Sequence, residues 1–233
     1  MSEQKSVRTI ISLIRPSRTI PRMSWTAHSK WSLNGQRVAI LFFGLTIFGL
    51  GDALLIQSHI GNAPWSVLAQ GISFHSPLSI GAATFLISGL VLLLWIPLRE
   101  RPGFGTISNL IIIALAIQIG TWIFPVAPKF FADQVLYVLV GIALVGIGSA
   151  LYITCGLGPG PRDGLMTALH KRTGIRIGRV RLAIEISALL IGRALGGRLG
   201  IGTALFALLI GNSIALSLTL VKHLAPKHKE DGL

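Results

Sequence analysis

The stretch Gly156-Leu157-Gly158-Pro159-Gly160-Pro161-Arg162-Asp163-Gly164-Leu165 decides the reading of this chain, because it has a counterpart 97 residues earlier in His59-Ile60-Gly61-Asn62-Ala63-Pro64-Trp65-Ser66-Val67-Leu68. The same offset aligns residues 38–113 with 135–210 without a gap. Coincidences include Gly44/Gly141, Gly51/Gly148, Gly61/Gly158, Pro64/Pro161, Arg101/Arg198, Gly103/Gly200, Gly105/Gly202 and Thr106/Thr203. Matches among apolar residues are cheap in a chain this hydrophobic. Coincident Gly, Pro and Arg are not, since each demands its own backbone or charge environment. The chain is an internal duplication.

Composition sets the solvent. Of 233 residues 52% are hydrophobic and 12% charged, with mean hydropathy +0.71. That balance lies outside the soluble range and supplies runs long enough to cross a bilayer, which takes about 20 residues. The net charge of +13 does not point to nucleic acid, because the basic residues sit between apolar runs and at the ends rather than in a binding motif. A single cysteine, Cys155, excludes an internal disulfide and any multi-cysteine metal site. The first uninterrupted apolar run begins at Val38 and is too long for a signal-peptide core.

The expected fold is an all-α integral membrane protein with six transmembrane helices. The spans are Val38–Gln57, Leu78–Leu98, Thr106–Phe124, Gln134–Cys155, Leu182–Leu195 and Ile201–Val221. The fifth is short and carries Glu185 and Arg193; its counterpart in the first copy, Ile80–Leu98, is uncharged and long enough. Three spans per copy is an odd number, so residues 38–124 and 134–221 form two inverted three-helix repeats. Residues 1–37 are read as a basic cytoplasmic tail, either a free charged arm or a short amphipathic turn through Val7, Ile10, Ile11, Leu13 and Ile14. Residues 222–233 form a second basic tail. With both termini cytoplasmic, 18 of the 21 Lys and Arg fall inside, as the positive-inside rule requires.

Each copy also carries a short Gly-Pro-led helix, expected over Pro64–Ser73 and Pro161–Lys171. Two arrangements fit. In one, the lead-in Ser58–Ala63, which can extend up to roughly 20 Å, dips towards the midplane and the helix climbs back. Two helix N-termini then face a common centre and favour anionic solutes. In the other, each helix lies on the membrane surface, its apolar side in lipid. The pathway candidates are Asp52, Gly61, Pro64, Gly158, Gly160, Pro161, Arg162 and Asp163. Asp52 stands out because an ionisable group within a span needs a partner, and no basic residue lies within a turn or two. Glu185 has Arg181 four residues before it, on one helix face. Gly44 and Gly51, with Gly141 and Gly148, are seven apart and read as close-packing positions. No nucleophile elbow, nucleotide loop, metal-ligand spacing or cofactor motif is present, and no enzyme is expected.

The run Gly158-Pro159-Gly160-Pro161-Arg162-Asp163-Gly164-Leu165-Met166, with Gly200-Ile201-Gly202-Thr203 and its echo Arg101-Pro102-Gly103-Phe104-Gly105-Thr106, resembles the YczE-like group of bacterial membrane proteins, related to the YitT family. The resemblance covers about residues 36–221. It implies a multi-pass location in the bacterial plasma membrane and assigns no substrate. The first copy departs from the pattern, reading Asn62-Ala63-Pro64-Trp65-Ser66 where Gly-Pro-Trp-Asp is expected. The functional expectation is a channel or secondary transporter for a small, anionic solute; the alternative is a scaffold or regulatory protein. Partners expected are the lipid bilayer, the solute and further copies of the chain, with no nucleic acid and no cofactor.

Overall fold

The computed structural model describes residues 20–127 and 130–224. The regular elements among them are all α-helices: α1 (Gly35–Ser58), α2 (Pro64–Phe74), α3 (Ile80–Leu93), α4 (Trp95–Leu98), α5 (Phe104–Ile123), α6 (Phe131–Thr154), α7 (Pro161–Thr173), α8 (Ile177–Ala194) and α9 (Ile201–Leu224). Their ends follow local chemistry. The Asn34 side chain accepts from Gln36 N at 3.2 Å to start α1, and Ser79 Oγ accepts from Ala82 N at 3.3 Å to start α3. Pro64 and Pro161 open α2 and α7, where a missing N–H costs nothing. Gly174, at φ 70°, closes α7 by donating to His170 O at 2.9 Å.

The second expected span is broken. Pro97 lacks an N–H and crowds the carbonyl of Leu93, so α3 stops there and the chain resumes as the one-turn α4. Among the described residues, five stretches are long and apolar enough to cross a bilayer: Gly35–Gln57, Ile80–Leu98, Phe104–Ile123, Phe131–Thr154 and Ile201–His223. Helix α8 is not among them, because its 18 residues include Arg179, Arg181, Glu185 and Arg193. Large apolar side chains such as Phe43, Leu90, Trp122 and Leu208 are exposed around the outside. A water-soluble protein could not carry so much of this surface, and in lipid it costs nothing.

The helices approach through small residues. A Cβ on Gly44 would meet Gly148 and Leu151, and one on Gly51 would meet Gly141 and Leu144, so α1 and α6 run antiparallel in backbone contact. This is the packing the glycine spacing implied. Helix α5 flanks α1, and α9 flanks α6. The short helices cross over: α2 packs on α8 through Gly71 and Gly192, while α7 packs on α3 and α4. Trp95 of α4 is buried against α7, where its indole N–H donates to Pro161 O at 3.0 Å.

One expectation about the N-terminal tail is corrected. Residues 20–34 are no free arm but lie across the end of α6. Ala27 N donates to Cys155 O at 2.9 Å, and Trp25 Nε1 donates to Thr154 Oγ1 at 3.3 Å. The Arg37 guanidinium ties this strap down through the carbonyls of Trp25 and Ser32. The apolar residues 7–14, Lys129 and the basic C-terminal residues from 225 lie outside the described residues.

Candidate functional site

The lead-ins to α2 and α7 are non-helical backbone inside a helical bundle, so their polar groups need partners. Ile60 O accepts from Gly202 N at 2.9 Å, and Leu157 O accepts from Gly105 N at 2.8 Å. Asn62 N donates to Arg198 O at 3.3 Å, and Thr106 Oγ1 donates to Pro159 O at 2.7 Å. Each lead-in is thus stitched to the start of a long helix from the other half of the sequence. The turns that permit this are at Gly61, φ 126°, and Gly158, φ 115°. Side chains there would also collide, with Gly200 and Thr203 in one case and with Thr106 and Gly103 in the other. These two candidates shape the lead-ins and do not line the cavity described next.

The other six candidates do line it. Asp52, Pro64, Gly160, Pro161, Arg162 and Asp163 surround a cavity of about 300 Å³ between the starts of α2 and α7. The start of α2 is buried in protein at Pro64, Trp65, Ser66 and Val67; at the start of α7 Pro161, Gly164, Leu165 and Met166 are buried, Arg162 is partly so and Asp163 is exposed. The positions before each helix, Ala63 and Gly160, offer no side-chain cap. Backbone N–H groups at both N-termini therefore border the cavity without a capping acceptor.

The charged groups differ in their partners. Asp52 is 3% exposed; one carboxylate oxygen accepts from Ser66 Oγ at 2.7 Å and the other, Oδ1, has no partner. The missing carboxylate of the first copy thus comes from α1 and meets the serine that stands in its place. Asp163 accepts from Tyr152 OH at 2.8 Å. The Arg162 guanidinium sits 4.7 Å from the centre of the Trp65 ring. Arg181 and Glu185 also line the cavity and bond to each other at 2.8 Å, the pairing their spacing implied.

Trp65, Tyr152, Ser149, Thr84 and Ser88 line the cavity too and were not among the sequence candidates. Trp65 had a signal, since it is the counterpart of Arg162 at the 97-residue offset. Near the ends of the long helices, two titratable groups are perturbed. Burial pushes the Cys155 thiol up to about 12. His59 is held below its ordinary 6.5 by burial and by the positive charge of Arg198.

Residues 35–218 match DUF6198, described as a family of unknown function. The chain is 45% identical over 207 residues to an uncharacterized protein of Haemophilus influenzae, covering 89% of this chain and 94% of that one. It is 30% identical over 184 residues to the uncharacterized membrane protein YczE of Bacillus subtilis, with 78% and 85% covered. A third relative, the uncharacterized protein YyaS of Bacillus subtilis, is 28% identical over 193 residues, with 80% and 94% covered. No solved structure matches the chain.

Proposed function

The chain belongs to DUF6198 and is a YczE-like, all-helical membrane protein, and from that premise we propose that it forms a pathway for a small solute, as a channel or secondary transporter. The observation that carries this reading is the cavity itself. Two uncapped helix N-termini and a buried carboxylate with a free oxygen converge on one space of about 300 Å³. At ~30 Å³ per water that is room for about ten waters, enough for a small molecule and too much for a packing defect.

We further propose that residues 38–113 and 135–210 are inverted repeats, with α8 crossing the membrane as the sixth span. Supporting this, contacts and turns recur at the 97-residue offset. Gly44 meets Gly148 as Gly51 meets Gly141, and Gly61 meets Thr203 as Gly158 meets Thr106. The positive-φ pairs His59/Gly156, Gly61/Gly158 and Arg99/Gly196 fall at the same offset. Of the four charges of α8, Arg181 and Glu185 pair and line the cavity, while Arg179 and Arg193 are exposed within a turn of its two ends, where long side chains can reach the interface. Both termini would be cytoplasmic.

Two measurements test the proposal. Cys155 is buried and its thiol is held protonated at neutral pH, so wild-type chain should be nearly inert to an impermeant maleimide. Single cysteines at Ser76 and Thr173 should then label from opposite sides; labelling from the same side removes the inversion. For the pathway, purified protein in liposomes should pass a small solute, and Ser149→Phe, which fills the cavity, should block it. Equal flux through both would move the pathway elsewhere, and no flux from either would favour a scaffold role.

A further inference from the structure

Within the cavity two charges of opposite sign lack an ionic partner. Asp52 is buried with Oδ1 unbonded. Arg162 has its face on Trp65 and no carboxylate within 4.0 Å among the described residues. Of the remaining charges, Arg181 holds Glu185, and Asp163, itself exposed to solvent, accepts from the Tyr152 hydroxyl and lies near enough to act on Arg162 without closing into a pair. Asp52 and Arg162 lie near enough to interact electrostatically, yet they do not close into a pair.

Leaving the buried Asp52 carboxylate without a counterion costs on the order of several kcal/mol, and the partly buried Arg162 guanidinium adds a smaller cost of the same kind. A lone anion at Arg162 would leave Asp52 uncompensated, and a lone cation at Asp52 would leave Arg162 uncompensated. A molecule carrying both charges a few ångströms apart satisfies both ends at once. We infer that the solute is a small zwitterion of the amino-acid type, its ammonium held at Asp52 and its carboxylate held between Arg162 and the uncapped start of α7. This rests on the pathway reading above and narrows it, replacing the simple anion expected from helix N-termini alone. The guanidinium suits the second role, since its centre lies 4.7 Å from the Trp65 ring centre and it makes no hydrogen bond among the described residues, which leaves N–H groups to take a carboxylate. The volume of about 300 Å³ limits the solute to one small molecule.

The test uses four probes of similar size: alanine, ethylamine, propionate and propionamide. Each is added to detergent-purified full-length protein, and the melting temperature and liposome flux are measured. Alanine should raise the melting temperature and cross the membrane of protein-containing liposomes faster than that of protein-free ones, and the other three should show neither a shift nor a protein-dependent flux at the same concentration. Asp52→Asn should weaken alanine at least tenfold and Arg162→Gln should do the same, while Arg162→Lys, which keeps a charge, should retain part of the binding. Ethylamine or propionate alone matching alanine would overturn the zwitterion and leave the pathway standing. Propionamide matching alanine would do the same, by showing that charge is not read. Silence from all four probes, in both assays on wild-type protein, would overturn both, with no appeal to the variants or their folding.

Discussion

From the first half of the molecule the cavity receives Asp52, Trp65, Thr84, Ser88 and Asn109; from the second, at the same positions 97 residues on, it receives Ser149, Arg162, Arg181, Glu185 and Phe206. Hardly any polar choice is shared. The backbone positions around them are shared almost throughout, down to the turns before each short helix. The frame tolerates little change because close helix contacts and positive-φ turns each admit glycine and few other residues. The wall of a cavity makes fewer backbone contacts, so its residues are freer to differ and to pair across the two halves. All the guanidinium groups come from one half. The carboxylates are split, with Asp52 facing Ser66 in the first half and Asp163, with Ser149, occupying the exchanged positions in the second.

The largest test of this contrast is at the shared turns. Gly61→Val and Gly158→Val each impose a β-branched side chain on a left-handed backbone and a collision, costing roughly 3 kcal/mol in total. Both should lower the yield of monodisperse protein and the unfolding midpoint to a similar degree. A severe loss from one and none from the other would mean the two halves do not share a frame.

The exchanged carboxylate gives an intermediate effect. Ser66→Asp alone sets a second carboxylate where a hydroxyl now lies 2.7 Å from Asp52, and should cost about 2 kcal/mol at neutral pH. Adding Asp52→Ser recreates the arrangement of the second half and should return stability to within about 1 kcal/mol of wild type. The cycle should show a coupling of about 1–3 kcal/mol. Additive single effects would mean positions 52 and 66 are not one site.

The smallest effect is at His59, whose counterpart is Gly156, both with φ near 65°. The pKa of His59 is lower folded than unfolded, so its contribution to stability is complete above 6.5 and is lost as pH falls through the folded value. His59→Gly should flatten that acid loss and add less than about 1 kcal/mol at neutral pH, read from thermal melts across pH 5 to 8. An unchanged acid slope would assign the pH dependence to another group.

Much of this frame was legible in the residues. The glycine spacing marked the close-packing faces of α1 and α6, though not that they meet each other, and paired prolines marked the starts of both short helices, because these residues constrain backbone wherever they occur. The break at Leu94 was equally written in Pro97, though the apolar run on either side masks it. The site was legible only in part. Asp52 could be flagged as needing a partner, but Ser66 is 14 residues away on another helix, and no periodicity connects them. The free-arm reading of residues 20–34 failed for a similar reason: charge suggests solvent, while the contacts to Thr154 and Cys155 come from tertiary structure.

Trp65 and Arg162 hold the same place in the two copies, and they touch. On the inverted-repeat reading proposed above, a position that meets its own counterpart lies on the axis relating the copies. On the same reading, two identical three-span units paired about a two-fold axis would bring identical side chains together there: indole on indole, or guanidinium against guanidinium. Neither gives an arginine with a ring beneath it and a free edge above. Two different residues at the one shared position, carried in one polypeptide, give that combination in every molecule, since Trp65 then meets Arg162 and never another tryptophan.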